Sequence, residues 1–600
     1  MNEQQFFDGP EEENFSFLKN MVIKGLKHKK VYSDPWYQQH LEEELDVIKK
    51  TGLEDFFLNT GYICALIDDA GIFRGPARGS CLASVICYGL NITKVPPKDY
   101  KLSFSRFLNE TRAMTQLPDI DVDVSSDQRD EVLQLIIDEF GEDKCCQVVT
   151  RQFYTVKTAI KALSKIIDVP FDEVNRITAQ IKDDVDYKDN TRVMDFLNKY
   201  PFVRDNIDNL LGLLKAHGKH PGALIIFDDP LYNYTSVLQV KGVMVISNNG
   251  IECESQGFLK NDTLSVQVLD IQRDCLKLID DDIVLPNTFD DPNVYKTICT
   301  NPLGIFQLEK AAGRQGIKLV QPENFNELVA TISLIRPGAR NSGMDKLYAD
   351  YKFGRKKPIY LDDRLKDILS DTQGLMIFQE DAMAVARDLA GMSDLETDHL
   401  RRAISKKKKE AFDIFKPKFL QGCIDNDVKD DVAKALWEDM EKSSDYSFNR
   451  SHAVGYAVLG YQSAWLKTYY PLEFAIAMLM HVKDDEKRVE VLQSIKDSNA
   501  ELCNPDINKS QAKTAIVDDK IYMGFDLIDK VSEKVSDAII KERELNGDFK
   551  SFDDFCARVA PRKANKRVKE NLIWAGAFDN IPIKYDNKKI NKQTTLGFFK

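Results

Sequence analysis

Three aspartates stand at alternate positions in the segment LPDIDVDVSS, residues 117–126. Asp119, Asp121 and Asp123 are separated by single apolar residues, which predicts a β-strand with three carboxylates on one face. Buried carboxylates repel one another and are costly to desolvate unless a cation neutralises them. The pattern therefore favours a divalent-metal site. The alternative is a strand end whose acids simply face water.

Strand geometry limits which of these acids can share a metal. Same-face residues two apart lie roughly 6.5 Å apart and residues four apart roughly 13 Å, whereas paired catalytic metals lie about 3.5–4 Å apart. Either Asp119 with Asp121 or Asp121 with Asp123 is then the core pair, unless the strand bends. A third acid must come from another strand. Asp270, a lone acid in the apolar segment TLSVQVLDI (263–271), is the best candidate.

A second chemical feature precedes the aspartates, in GPARGSCLAS, residues 75–84. Gly75 and Gly79 allow tight turns, Arg78 adds a cation, and Ser80 with the following amides can open a helix. Amides at a helix start and a neighbouring arginine bind phosphate oxygens. An ordinary glycine-rich connection is the alternative. A phosphate loop beside a carboxylate strand is the pairing that metal-dependent nucleotidyl transfer needs.

Composition sets the frame around these residues. A chain of 600 residues requires several domains, and 43% hydrophobic with 30% charged residues describes a globular protein. The eleven cysteines are scattered without a C-x-x-C pair, which excludes a disulfide framework or zinc site and suits a reducing cytoplasm. The net charge of −13 argues weakly against nucleic-acid binding by the whole surface, but it allows a local basic channel. The acidic, polar N-terminus predicts no leader peptide, and no apolar run approaches membrane-spanning length, so a membrane partner is not expected.

The elements that must position the acids follow from periodicity. Helical spacing dominates 15–70, 153–217 and 276–500, and β-patterns occur at 222–227 and 263–271. The helix predicted after the aspartate strand begins near Ser125, Ser126 or Asp127. The mixture predicts a multidomain α+β chain.

Many ordered blocks make the chain resemble a known family. They are GPARGSCLAS, FSRFLNETR, PDIDVDV, GKHPGALII, RPGARNSGM, LRRAISKK and YSFNRSHAVGYA. In this order, from about residue 15 to about residue 580, they resemble the C-family bacterial replicative DNA polymerases, whose catalytic subunit is the α subunit of DNA polymerase III. The resemblance implies a polymerase β-like nucleotidyltransferase palm, a mostly helical thumb and fingers, and a C-terminal helix-hairpin-helix module. The implied boundaries are palm 1–152 and 221–275, thumb 153–220, fingers 276–500, helix-hairpin-helix region 501–584 and a tail at 585–600.

The resemblance also implies roles for individual residues. Asp121, Asp123 and Asp270 would be catalytic and would hold two Mg²⁺ ions, with Asp119 a structural or outer carboxylate. His452 has a second interpretation, as a packed or capping histidine. The residues expected to bind the nucleotide triphosphate are Arg78, Gly79, Ser80, Ser84, Arg401, Arg402, Lys406, Lys407, Asn449, Arg450, Ser451 and His452.

Three positions depart from the family pattern. Val268 stands two residues before Asp270, where the family has a lysine, so a positive charge near the triphosphate is lost unless Lys260 or a finger residue replaces it. Ala77 and Ala83 replace two glycines of the phosphate loop. The family's N-terminal PHP domain and C-terminal OB and tail regions have no counterpart, which favours a minimal form such as a phage or mobile element might encode.

DNA and partner contacts are expected from basic segments and the tail. The thumb would bind DNA through Lys157 and Lys161. The helix-hairpin-helix region would bind through Arg562, Lys563, Lys566 and Arg567, or these form a solvated helix face. The final QTTLGFFK fits a sliding-clamp peptide with the pattern Q-x-x-L-x-F. Its contact residues would be Gln593, Leu596, Phe598 and Phe599.

The sequence therefore predicts a monomeric, cytoplasmic DNA-directed DNA polymerase that extends a primer 3′ end with dNTPs in replication. One alternative is a catalytically weak polymerase paralogue that serves as a replisome component, which Val268 favours. A second alternative is a nucleotidyltransferase that uses no template.

Overall fold

The computed structural model describes residues 11–110, 118–181, 184, 186–279, 283–405, 414–482, 484–497, 501–518, 520–560 and 562–582. The predicted α+β mixture is confirmed, since helices and a six-stranded sheet share the chain. The N-terminal part is helical, as its periodicity predicts. Asp34 caps the second helix, and Gly52, in the left-handed conformation, ends it. These helices are α1 (Glu11–His28), α2 (Pro35–Thr51) and α3 (Glu54–Asp69).

Short helices flank the first strand. Ser80–Ala83 forms a 3₁₀ turn that leads into α4 (Val85–Gly89), followed by α5 (Phe104–Phe107) and, after the strand, α6 (Arg129–Phe140). The sheet has the order β1-β6-β3-β2-β5-β4. Its strands are β1 (Asp121–Val124), β2 (Cys145–Phe153), β3 (Leu214–Ile226), β4 (Val237–Val240), β5 (Val243–Ile246) and β6 (Lys260–Ser265).

Pairing within the sheet decides which acids meet. β1 runs parallel to β6, with Asp121 opposite Asp262 and Asp123 opposite Leu264. β6 in turn pairs antiparallel with β3, and β3 pairs antiparallel with β2. Chain segments far apart in sequence therefore lie side by side at the edge strand β1.

A helical unit is inserted between β2 and β3 and has its own apolar core, which includes Val156, Ile160, Phe196 and Ile207. Its helices are amphipathic, so one face of each packs inward. They are α7 (Val156–Ile166), α8 (Phe171–Thr178), α9 (Thr191–Lys199) and α10 (Pro201–Leu210).

The next helices lie between β5 and β7 in the chain. Helix α11 (Gly250–Ser255) precedes β6, and helix α12 (Gln267–Leu278) follows it. The others are α13 (Pro292–Thr300), α14 (Ala311–Val320), α15 (Phe325–Leu334), α16 (Pro337–Asn341), α17 (Met344–Lys352), α18 (Leu365–Leu369), α19 (Gln379–Ala390), α20 (Asp394–Ser405), α21 (Lys416–Asp425), α22 (Asp430–Ser443), α23 (Arg450–Tyr469), α24 (Pro471–His481) and α25 (Asp485–Asp497).

Helix α23 joins this region to the sheet region. Its residues Ala453, Ala457 and Tyr461 are buried in the core that also holds the N-terminal helices and β1. A second core, centred on Trp437 and Phe419, belongs to α18–α22. A Cβ atom at Gly455 of α23 would lie 3.0 Å from the Ala77 carbonyl oxygen, so the segment GPARGSCLAS packs against a helix anchored in the same core as the aspartate strand. None of the helices in the described ranges is long and apolar enough to cross a bilayer.

The C-terminal part forms a further small unit. A three-stranded sheet has the order β7-β9-β8, and the helices after it pack around Phe525, Phe555 and Phe578. The elements are β7 (Leu502–Cys503), β8 (Ala515–Val517), β9 (Lys520–Tyr522), α26 (Glu533–Asn546), α27 (Phe552–Arg558) and α28 (Lys566–Trp574).

Candidate active site

A cluster of carboxylates lies where β1 and β6 run side by side. One carboxylate oxygen from each of Asp119, Asp121 and Asp262 lies within 4.8 Å of the others. Asp119 precedes the strand, so the spacing limit of a regular strand does not apply to it. The three acids differ in exposure: Asp119 is exposed, Asp121 half-buried and Asp262 buried. All-oxygen donors of this kind suit a hard divalent cation such as Mg²⁺.

Asp123 lies on the same strand but more deeply. Its side chain is fully buried, and neither carboxylate oxygen has a hydrogen-bond partner in the described part of the chain. The Arg78 Nε atom lies 3.2 Å from an Asp123 oxygen and 3.8 Å from an Asp121 oxygen. One arginine therefore supplies the nearest positive charge to both acids.

Burial makes these acids weak. It raises the pKa of Asp121 to about 7, with a further contribution from the charge of Asp119 and an opposing one from Arg78. Burial likewise raises the pKa of Asp123 to about 6, again opposed by Arg78. Acids held at such values lack sufficient positive charge around them, which is what a metal cation supplies.

The prediction that Asp270 belongs to a strand is wrong. The strand β6 ends at Ser265, and Asp270 lies in the first turn of α12. There its carboxylate accepts hydrogen bonds from the backbone N–H of Ser126, at 2.6 Å, and from the Ser126 hydroxyl. The apolar residues near Asp270 serve the buried face of a helix, a pattern that a short segment shares with a strand. The acid opposite Asp121 is Asp262, not Asp270.

The positive charge expected from a lysine at position 268 has a candidate source in Lys260. Val268 lies on α12 and packs in a small apolar cluster with Leu459. Lys260 stands two residues before Asp262, and its Nζ atom lies 2.9 Å from that carboxylate. The lysine-x-aspartate spacing at 260–262 was visible in the sequence and is the signal by which both residues could have been found.

The phosphate loop lies against β1, with the Gly75 N–H donating to the Asp123 carbonyl at 2.8 Å. Gly79 has φ +86, a conformation that glycine adopts without strain, and it faces the Asp121 carboxylate. Ser80 begins the 3₁₀ turn and is half-buried. This arrangement leaves the Arg78 side chain between the loop and the aspartates.

Ser84, which the resemblance implies in triphosphate binding, contacts Glu44 and the start of α4. It is fully buried, donates through its hydroxyl to Glu44 at 2.7 Å, and caps α4 by accepting from the Cys87 N–H. Glu44 also accepts from the Val85 and Ile86 N–H groups. Ser84 therefore stabilises the helix after the loop.

The predicted arginines of the helical region divide into two environments. Arg401 and Arg402 on α20 both contact the buried Asp398, each through Nε at 2.8 Å. Arg450 is buried, with Nη2 lying 2.6 Å from Asp381. Lys406 and Lys407 lie outside the described residues.

Arg450 and Ser451, which the resemblance implies in triphosphate binding, are buried in this structure. The Arg450 backbone N–H donates to Glu380, whose other oxygen lies 3.1 Å from Nε of Arg106. Ser451 is 1% exposed. Asn449 caps α23 by accepting from the His452 N–H at 3.2 Å. These residues fix the start of α23 and join it to α5 and α19.

His452 remains at the edge of the site. Its ring lies 4.4 Å from the Tyr456 ring and 5.7 Å from the Phe448 ring. Burial, followed by the charges of Arg78, Arg336 and Arg106, lowers its pKa to about 4. The side chain is therefore neutral at physiological pH, and Arg78, whose charge contributes most among these cations, also contacts the aspartates.

The predicted DNA contacts occupy accessible faces. Lys157 is half-buried and Lys161 exposed on α7, away from the core residues Val156 and Ile160. The four predicted basic residues near α28 are all exposed; they are Arg562, Lys563, Lys566 and Arg567. The predicted clamp residues Gln593, Leu596, Phe598 and Phe599 lie outside the described residues.

Comparison with known families gives matches along most of the chain. Residues 16–265 match the family described as the bacterial DNA polymerase III alpha NTPase domain, and residues 269–427 match the bacterial DNA polymerase III alpha subunit finger domain. Residues 499–589 match a helix-hairpin-helix motif.

Curated relatives agree with these matches. The chain is 35% identical over 574 residues to the DNA polymerase III subunit alpha of Saccharopolyspora erythraea, covering 90% of this chain and 48% of that protein. It is 31% identical to the proteins of that name from Aquifex aeolicus and Escherichia coli, covering 94% and 95% of this chain, and 52% and 51% of theirs. The chain thus spans about half the length of the curated relatives it matches.

Proposed function

The chain belongs to the bacterial DNA polymerase III alpha family, and from that membership we propose that it is a DNA-directed DNA polymerase that extends a primer 3′ end with dNTPs. The observation that carries the proposal is the carboxylate cluster of Asp119, Asp121 and Asp262 on adjacent parallel strands. Arg78 faces the same acids from the phosphate loop. Carboxylates opposite a cationic loop are what phosphoryl transfer from a nucleoside triphosphate requires.

The acids fit a divalent metal. Asp262 has a buried carboxylate oxygen without a hydrogen-bond partner in the described ranges, as does Asp123 with both of its oxygens. Asp121 and Asp262, with Asp119 and Asp123 beside them, would hold two Mg²⁺ ions. Bound there, Mg²⁺ supplies a lowered pKa for the attacking primer hydroxyl and charge neutralisation for the leaving pyrophosphate.

The protein groups contribute positioning and charge. Arg78 bridges to one edge of β1 and Lys260 lies on β6 along the other edge, so the two would neutralise phosphate oxygens from opposite sides of the aspartate strand. Gly79 would let the backbone approach closely. Arg401 and Arg402 on α20, which share the carboxylate of Asp398, would add positive charge for the triphosphate. No covalent nucleophile is needed, because catalysis rests on orientation and electrostatic stabilisation.

DNA would be held mainly through its backbone. Lys157 and Lys161 would contact the primer–template duplex near the site, and the basic face of α28 would contact it further away. Backbone contacts of this type depend on salt and carry no sequence information, so the template base decides which nucleotide enters. The C-terminal peptide at 593–599 would bind a sliding clamp.

Templated primer extension in Mg²⁺ tests the proposal directly. We expect the full chain to extend a primer by the complement of the template and the Asp121→Ala variant to lose extension. A wild type that extends no better than Asp121→Ala contradicts polymerase activity. Extension that ignores the template sequence would instead support the template-independent nucleotidyltransferase.

A further inference from the structure

Arg336 lies in the RPG turn at the start of α16. It is not one of the residues given a role in nucleotide binding above. Its guanidinium Cζ atom lies 3.5 Å from the centroid of the Phe448 ring. Its Nε atom is buried and has no hydrogen-bond partner in the part of the chain that the structure describes. A half-buried guanidinium that stacks on an aromatic face keeps its edge free to donate.

The neighbouring arginines differ from Arg336 in one respect. Arg78 lies within ion-pair distance of Asp123, and Arg106 lies within ion-pair distance of Glu380. No carboxylate of the described residues forms an ion pair with Arg336. Burying an unpaired cation is costly, so its retention in a partly buried position indicates that an external anion is its partner.

A row of side chains in cation–π and edge-to-face aromatic contact connects Arg336 to the aspartates. The Arg78 Cζ atom lies 6.0 Å from the Tyr456 ring, which contacts His452, and His452 in turn contacts Phe448. Phe448 carries Arg336 on its face. Arg336 is thus connected to Arg78 by this row of contacts but lies further from the carboxylates. The reacting phosphorus must lie next to the carboxylates.

The turn that holds Arg336 is tightly fixed. A Cβ atom at Gly338 would lie 2.6 Å from the Asp445 carbonyl oxygen, so the RPG turn packs directly on the segment that leads to Phe448. Arg336 also precedes Pro337, whose fixed φ suits the first position of α16. This packing orients the guanidinium before any ligand arrives.

We infer that Arg336 binds the β- and γ-phosphates of the incoming nucleoside triphosphate. Planar guanidinium groups bind phosphate oxygens through two parallel hydrogen bonds, and the Phe448 platform fixes that plane. Arg78 serves the end of the triphosphate nearest the acids, and Arg336 serves the far end. The inference rests on the proposed polymerase function and deepens its account of substrate binding.

Steady-state extension by the full chain tests this role. We expect Arg336→Ala to raise the dNTP KM about tenfold or more and to weaken inhibition by pyrophosphate by a similar factor, with primer–template Kd unchanged. Arg336→Lys keeps the charge without the planar stack and should give intermediate values. Arg340→Ala is the matched control, because Arg340 is exposed and donates to Gln315; it should leave all three quantities unchanged.

Two results would overturn the inference. One is a wild-type dNTP KM and wild-type pyrophosphate inhibition in Arg336→Ala or, if that variant does not fold, in Arg336→Lys. The other is an equal loss of dNTP and primer–template affinity, which indicates a structural role. Calorimetric titration with a dNTP separates this failure from that of the proposed function. A wild type that binds dNTP without extending contradicts polymerase activity, whereas an unchanged dNTP Kd in the variant contradicts the role of Arg336.

Discussion

Replacing Asp123 by asparagine should stabilise the protein while removing its activity. The Asp123 carboxylate is fully buried, and both oxygens lack hydrogen-bond partners among the described residues. Its pKa is raised from 3.8 to about 6. The folded protein therefore keeps a proton that the unfolded chain releases, so the stability linked to this group is full below about pH 4 and is lost as pH rises through 6.

The size of the effect follows from the pKa. A pKa displaced by about 2 corresponds to about 3 kcal/mol at neutral pH and above. Asparagine gives up the contact with Arg78, which offsets part of this gain. In EDTA at pH 8, we expect Asp123→Asn to raise the free energy of unfolding by about 1–2 kcal/mol, and at pH 4 to raise it by much less.

Urea denaturation of both proteins at pH 4 and pH 8 measures this difference. Asp274→Asn is the matched control. Burial raises the pKa of Asp274, but hydrogen bonds from His481 and Arg273 outweigh it and hold that pKa below its usual range. This control should lose about 2–3 kcal/mol at pH 8. A loss of stability in Asp123→Asn at pH 8 similar to that of Asp274→Asn would refute the argument that Asp123 is retained at a cost to stability.

Three further predictions concern the loop, the DNA-binding helix and the tail. Ala77 has φ +71, a conformation that costs a non-glycine residue about 1–2 kcal/mol. In Ala77→Gly the relief of this strain should offset the cost of introducing glycine, so the variant should unfold at nearly the wild-type urea concentration, whereas Ala83→Gly should lose about 1–2 kcal/mol of unfolding free energy. Equal losses of unfolding free energy in the two variants would contradict strain at Ala77. Lys566→Ala and Arg567→Ala should each reduce the salt slope of duplex binding by about 1, and unchanged slopes would exclude phosphate contacts. Deleting 593–600 should reduce processivity with a bacterial sliding clamp but spare distributive synthesis, and equal losses in both assays would exclude a clamp peptide.

Periodicity predicted much of the architecture because long amphipathic segments have few alternatives. The N-terminal helices and the strand at Asp121 agree with their patterns. The strand prediction for Asp270 was wrong because the nine mostly apolar residues 263–271 fit a strand and a buried helix turn equally well. The pairing of β1 with β6, a contact between distant segments, places Asp262 opposite Asp121, and the only sign of Asp262 in the sequence is its spacing from Lys260.

The candidate site, like the fold, could be predicted from the sequence only in part. The motif around Arg78 and the aspartates was visible in residue types and spacing, and the structure brings these residues together. Burial was not visible: the sequence suggests Arg450, Ser451 and Ser84 as triphosphate contacts, and the structure shows that all three side chains are buried. The sequence alone does not show whether a charged or hydroxyl side chain faces a substrate or a buried partner.

The most direct test of the account compares Asp262→Asn with Asp270→Asn in templated extension at saturating Mg²⁺ and DNA. Asp262 lies in the carboxylate cluster, whereas Asp270 is bonded to Ser126. We expect Asp262→Asn to lose extension as completely as Asp121→Asn, by about 10³-fold or more, and a folded Asp270→Asn to retain activity within about tenfold of the wild type. Extension that survives in Asp262→Asn but disappears in Asp270→Asn would contradict the assignment of Asp262 as the third metal-binding acid.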